Sequence, residues 1–187
     1  MDPVRNPFAP GAGSRPPELA GRETILREAN TAIQRALLGK ASRSQMLLGL
    51  RGVGKTVLLS KIEEMAQSAG HVTSSIEAPE GKSLGELLVP RVNQALRKLS
   101  ASENAKAKAH QALQALRSFA AAFKVSYGEA SISVDAEAGV ADSGDIEADL
   151  SELFVRVGEA AKAAGKAWTL LIDEVQYLCS ADLAAII

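Results

Sequence analysis

The stretch Gly49-Leu50-Arg51-Gly52-Val53-Gly54-Lys55-Thr56 satisfies the pattern G-x-x-x-x-G-K-[ST] at every position, and few eight-residue strings constrain a chain so strongly. The glycines let the backbone curl until successive N–H groups point at phosphate oxygens, and a helix opening near Lys55 adds the positive end of its dipole. Lys55 then reaches the β- and γ-phosphates as a point charge, while the Thr56 hydroxyl is placed to ligate Mg2+. A glycine-rich turn can match by accident, so the setting matters. The apolar run from Ser44 to Leu50 reads as a short buried strand. Thr56 to Ala69 reads as a helix with Val57, Leu58, Ile62, Met65 and Ala66 on one side, closed by Gly70. Strand, loop and helix in that order form the context a phosphate-binding loop requires, and Gly49, Gly52, Val53, Gly54, Lys55, Thr56 and Val57 are its expected nucleotide contacts.

Downstream, Leu170-Leu171-Ile172-Asp173-Glu174 is an apolar strand ending in two acids. Taken alone, these are as easily solvated residues past a strand end. Paired with the loop, Asp173 becomes the metal-side acid and Glu174 a general base that polarises water for attack on the γ-phosphate. A glutamate beside the metal aspartate favours hydrolysis over transfer to a small-molecule nucleophile, and no NKxD-type base reader points to GTP. The nucleotide is therefore expected to be ATP, with Glu174 and Lys55 as the catalytic pair and Thr56 and Asp173 as the metal residues.

Composition fits a soluble globular chain. Of 187 residues, 47% are hydrophobic and 23% charged, with 21 Lys+Arg against 22 Asp+Glu. A chain of this length buries roughly 70% of its unfolded surface and needs no disulfide or structural metal. The lone Cys179 excludes an internal disulfide and a zinc ribbon and suits a reducing compartment. The N-terminus MDPVRNPFAP lacks a signal-like apolar region and no segment is long enough to span a bilayer, so a cytoplasmic protein without a membrane partner is expected. Residues 1–61 carry 10 Lys+Arg and 4 Asp+Glu, whereas 126–159 carry 9 Asp+Glu and only Arg156. The basic third has no Lys/Arg block and few aromatics, which argues against direct nucleic-acid binding by it.

Hydrophobic periodicity sketches the remainder. Residues 1–20 hold five of the seven prolines and read as an extended segment. Glu23 to Leu38 has Ile25, Ala29, Ile33, Ala36 and Leu37 at helical spacing, with Gly39 as its stop. His71 to Ile76 is a second strand and Leu84 to Leu99 a helix. Ala101 to Phe123 forms another helix, striped by Leu113, Leu116, Ala120 and Phe123. Val125, Tyr127, Ile132 and Val134 alternate around Gly128 as in a hairpin, giving an insertion over about 101–145 that is as readily a surface decoration as a partner contact. Ile146 to about Ala164 is a helix, WTLLID (168–173) the strongest buried strand, and ADLAAII the start of a helix. Alternating strands and helices imply an α/β fold with a mainly parallel sheet.

GLRGVGKT followed by LLIDE, with PPELAGRE shortly before the first strand, resembles the AAA+/STAND branch of P-loop ATPases, and is similar in particular to bacterial ATPases of the origin-recognition type. The resemblance runs from about Pro16 onward. It implies a three-layer P-loop NTPase of the additional-strand class, with an ATP-binding domain over 21–187. It also implies that Ala20, Gly21 and Arg22 neighbour the adenine. In that class the sheet order is 5-1-4-3-2, so the strand after LLIDE inserts between the loop strand and the Asp-Glu strand. That strand, its sensor residue, an arginine finger and a helical lid are not in this sequence. The resemblance thus suggests the N-terminal part of a longer ATPase whose hydrolysis moves an attached module, with an unknown protein or DNA partner and possible oligomerisation. The alternatives are a STAND-like switch with slow turnover and a chain that binds ATP without hydrolysing it. The two strands bearing Lys55 and Asp173 would either leave a gap or pair directly, with marginal stability, association and weak turnover as consequences.

Other residues read as ordinary. Arg51 is expected to point to solvent; His71 and His110 lack partners at metal-ligand spacing; Cys179 is expected to be a packed thiol and Trp168 core or sheet edge. Gln176 and Tyr177 follow the acid pair and read as loop packing, with a part in shaping the site as the alternative.

Overall fold

Residues 21–40, 42–50, 52–125 and 134–187 are described in a computed structural model of the chain. Helical periodicity translates directly into helices: α1 (Glu23–Leu37), α2 (Lys55–Ser68), α3 (Leu84–Leu99), α4 (Lys106–Ala122), α5 (Ile146–Ala163) and the short α6 (Ser180–Ala184). Two strands, β1 (Val72–Glu77) and β2 (Trp168–Asp173), pair in parallel with Val72 opposite Trp168 and Glu77 opposite Asp173. A helix-rich chain around a parallel pair is an α/β fold.

Local chemistry sets several boundaries. Ser83 and Glu86 form a reciprocal cap at the start of α3, the Ser83 hydroxyl accepting from the Glu86 amide and Glu86 Oε2 accepting from the Ser83 amide at 2.9 Å. Asp145 caps α5 by accepting from the Glu147 and Ala148 amides. Two buried carboxylates serve backbone donors instead of a ligand. Asp149 accepts from the amides of Ser143 and Gly144, and Asp182 accepts from the Leu84 amide at 2.8 Å, which fastens α6 to the head of α3.

Side chains alternate across β2, and so does their packing. Leu171 joins Ala29 and Ile33 of α1 and Leu58, Ile62 and Ala66 of α2 in one core cluster. Leu170 and Ile172 pack against the larger cluster, built from Val72 and Ile76 of β1 with the apolar faces of α3, α4 and α5. Phe119 is its largest fully buried side chain. Trp168 lies half-buried, edge-on to Phe154 at 5.3 Å, and donates from Nε1 to the Ser74 hydroxyl at 3.0 Å.

The expected strand at Ser44–Leu50 is not formed. The segment lies outside any ladder, with Leu48 and Leu50 83% and 81% exposed. A parallel strand is held by its neighbours. Among the described residues β2 pairs only with β1, and a cleft of about 500 Å3, lined by Met46 and Leu47 on one side and Leu170 and Ile172 on the other, separates its second edge from the segment. Of the two expected arrangements, the gap is the one seen. For the same reason β2 is only half-buried apart from Leu171. Lesser corrections concern α4, which begins at Lys106 after a 3-10 turn at Glu103–Ala105, and Cys179, which is exposed with its Sγ 3.4 Å from the Asp182 amide that it caps. The proposed extended segment (1–20), Arg51 and the hairpin tip (126–133) fall outside the described residues. Among the described residues no helix is long and apolar enough to cross a membrane.

Candidate functional site

The loop between Gly49 and α2 turns on left-handed backbone. Gly52 and Gly54 have φ of 84° and 85°, a region costly to side-chain-bearing residues, and Gly54 caps α2 with its carbonyl accepting from the Leu58 amide at 3.0 Å. α2 begins at Lys55, so the amides of Lys55, Thr56 and Val57 lie in its first turn, where helical N–H groups have no carbonyl partner within the helix. This end carries partial positive charge, and no acidic residue in the first turn offsets it. Lys55 folds back over the loop, donating from Nζ to the carbonyls of Gly49 at 2.9 Å and Leu50 at 3.0 Å.

β2 brings the acid pair to the same place. The Thr56 hydroxyl donates to Asp173 Oδ2 at 2.6 Å, across 117 positions of sequence. The other Asp173 oxygen, Oδ1, accepts from the Glu174 amide at 2.9 Å. Glu174 adopts φ 56°, ψ 34°, unusual for a residue with a side chain. That kink ends the strand and starts a 3-10 turn at Val175–Tyr177, and the Glu174 carboxylate accepts a hydrogen bond from Gln176 Nε2. Lys55, Asp173 and Glu174 all line the mouth of the cleft between β2 and residues 42–47.

Arg22 reaches the loop from the head of α1, its Nη2 donating to the Val53 carbonyl at 3.0 Å. Gly21 has φ 76° and its amide donates to Glu23 Oε1. The structure therefore brings Arg22, with Gly21 next to it in the chain, to the glycine loop; Ala20, the third residue of that expected group, lies outside the described residues.

Two residues were not singled out by sequence reasoning for the places they occupy. Gln176, read as loop packing or as shaping the site without a named contact, is exposed and its amide engages the Glu174 carboxylate. Glu77 lies directly across the ladder from Asp173. An acid at the C-terminal end of a parallel strand was the available signal, since that end of an open sheet is where ligands collect, but only strand register shows that it neighbours Asp173.

The donor set suits a small hard cation. A hydroxyl and a carboxylate 2.6 Å apart offer oxygen ligands only, and Mg2+ takes one or two such groups while keeping several waters. Among the described residues no group of three His, Cys, Asp or Glu side chains forms a separate metal cluster.

Neither curated proteins nor solved structures yield a match to the chain. A family model described as an AAA ATPase domain does match, over residues 18–187, a span that takes in Arg22, the glycine loop and the acid pair. With its glycine loop, its strand-end acids and nearly all of its length inside that match, the chain belongs to the AAA ATPase domain family.

Proposed function

We propose that the chain binds ATP with Mg2+ and hydrolyses it at the junction of the Gly49–Thr56 loop and the C-terminal end of β2. The observation that carries this reading is the Thr56–Asp173 hydrogen bond, which holds the expected metal ligand of the loop against the expected metal acid of the strand. In this reading Lys55 exchanges the Gly49 and Leu50 carbonyls for the β- and γ-phosphate oxygens. The amides of Gly52 through Val57 cradle the phosphates, and Gly21 and Arg22 border the nucleoside. Thr56 and Asp173 hold Mg2+, Asp173 directly or through water. The ion, when bound, neutralises charge on the phosphate oxygens.

Glu174 supplies the base. Its carboxylate accepts a proton from water as the water oxygen bonds to the γ-phosphorus; the bond from that phosphorus to the β,γ-bridging oxygen breaks, and ADP and phosphate leave. The finer reading follows the sequence: a three-layer, additional-strand domain over 21–187 with an insertion at about 101–145, of the bacterial origin-recognition-like or STAND type. It acts in the cytoplasm, and hydrolysis there drives a conformational change in an attached module that contacts a protein or DNA partner.

The test is a titration of Mg2+–ATP onto the 187-residue chain by calorimetry, with phosphate release measured alongside. Lys55→Ala removes a charge-assisted contact of about 1.5–3 kcal/mol, so affinity is expected to fall by roughly 10- to 150-fold. Glu174→Gln is expected to keep binding and lower the hydrolysis rate by about 100-fold or more. A wild-type chain that melts cooperatively yet takes up no Mg2+–ATP overturns the proposal. Nucleotide retained through gel filtration, with turnover in hours, favours the STAND-like switch over hydrolysis that drives an attached module.

A further inference from the structure

A general base needs a fixed direction as well as a suitable position, and a half-buried glutamate with three side-chain torsions has none of its own. Glu174 gains one from its surroundings. Its backbone is held left-handed at φ 56°, with its amide donating to Asp173 Oδ1 and its carbonyl accepting from the Tyr177 amide at 3.1 Å. A second turn bond runs from the Leu178 amide to the Val175 carbonyl at 3.1 Å, and the Leu178 side chain is buried, which anchors the turn to the core. Chain reversal over these four residues sets the Gln176 side chain back over Glu174, where Nε2 donates to Glu174 Oε2. Gln176 is exposed and belongs to neither core cluster, so packing does not account for its side-chain direction.

We infer that Gln176 is a positioning residue for hydrolysis: its carboxamide holds one oxygen of the Glu174 carboxylate, leaving Oε1 to accept the proton of the attacking water. The inference rests on the role proposed for Glu174 and adds the group that orients it. Gln176 touches neither nucleotide phosphate nor water in this scheme and acts only through the carboxylate. Removing its amide therefore slows the chemical step while leaving nucleotide affinity intact.

The experiment compares wild type, Gln176→Leu, Glu174→Gln and the double variant, as full 187-residue chains. Mg2+–ATP affinity is read by calorimetry, and phosphate release under single-turnover conditions with protein in excess. Gln176→Leu is expected to lower the rate about tenfold with less than a twofold change in affinity, and to have no further effect in the Glu174→Gln background, the non-additivity expected of two residues acting as one unit. A rate unaffected by Gln176→Leu, or one lowered equally in both backgrounds, overturns the inference. So does a loss of affinity that accounts for the whole effect. The side-chain amide protons of Gln176, followed by NMR in selectively labelled protein, give a readout that needs neither nucleotide nor turnover. They are expected to shift in Glu174→Ala, and an unchanged resonance overturns the contact itself. Failure of wild type to bind Mg2+–ATP sinks the nucleotide reading and this inference together, whereas binding with a rate indifferent to Gln176 sinks only the latter.

Discussion

Asp173 carries two duties on two oxygens: Oδ2 accepts from the Thr56 hydroxyl and Oδ1 from the Glu174 amide. Asp173→Asn keeps the shape and loses the charge. It is expected to leave metal-free nucleotide affinity within about twofold of wild type and to lower the Mg2+-dependent gain about tenfold, the size of one charge-assisted contact. Titrations with Mg2+ and with EDTA read the two separately, and an unchanged Mg2+ gain removes Asp173 from the metal site. His71 gives a second residue-scale prediction. Its Nε2 lies 3.1 Å from the Ile33 carbonyl, which only accepts, so Nε2 bears the proton and Nδ1 accepts from the Thr169 hydroxyl at 2.7 Å. Burial lowers the His71 pKa from its ordinary 6.5, against a smaller opposing effect of the Ile33 carbonyl. The unfolded chain thus takes up the proton first, and stability present above pH 6.5 is lost as pH falls below it. Glu86 and Glu159 have pKa values lowered from 4.5, Glu86 by the Ser83 amide and Glu159 by Lys108, so their contributions are lost only in stronger acid. Melting temperature is expected to fall between pH 6.5 and 5 in wild type and to show a shallower slope there in His71→Gln. Parallel slopes would exclude His71 as the cause.

At the scale of elements, a long-range bond from Arg22 to the Val53 carbonyl joins the head of α1 to the glycine loop. An exposed charge-assisted bond of this kind contributes about 1 kcal/mol. Arg22→Ala is accordingly expected to weaken Mg2+–ATP binding about fivefold without changing the rate of bound nucleotide turnover. An unchanged affinity would show that α1 does not steady the loop. Helices were the legible elements because their signal is local. Ala29 and Ile33 of α1, Leu58, Ile62 and Ala66 of α2, and Leu116 and Ala120 of α4 are buried where the 3.6-residue period puts them. Glycines at 52 and 54 were legible for the same reason, since a left-handed loop needs them wherever the rest of the chain lies. Strands depend on partners that no local window contains. WTLLID finds β1 and is a strand; the equally apolar MLLGL finds none among the described residues and is not. For Gln176 the sequence left loop packing and a part in shaping the site both open, because its contact depends on the left-handed turn at Glu174, a conformation that a glutamate does not advertise.

For the molecule as a whole, the open edge of β2 and the extended run before the loop decide behaviour in solution. An unpaired edge next to exposed leucines is a surface that proteins ordinarily cover or charge. Leu48 and Leu50 are 83% and 81% exposed, Met46 46% and Ile187 75%, and the cleft of about 500 Å3 lies between this run and β2. Two pictures of residues 44–50 make opposite predictions. If the run were a buried strand, Leu48→Lys would place an unpaired charge in a core and cost at least the 2–5 kcal/mol of a truncated buried leucine. With Leu48 exposed, the same substitution removes no core contact. It is expected to change stability by less than about 0.5 kcal/mol, as surface substitutions do, and to reduce concentration-dependent association by adding charge beside the open edge. Denaturant melts of wild type and Leu48→Lys, with light scattering over a tenfold range of concentration, separate the two. Equal midpoints with less association for the lysine variant support an exposed run beside an open cleft. A large loss of stability would mean that residues 44–50 are buried in solution, either against the free edge of β2 or against a second copy of the chain, and wild-type scattering tells those apart, because only the second grows with concentration.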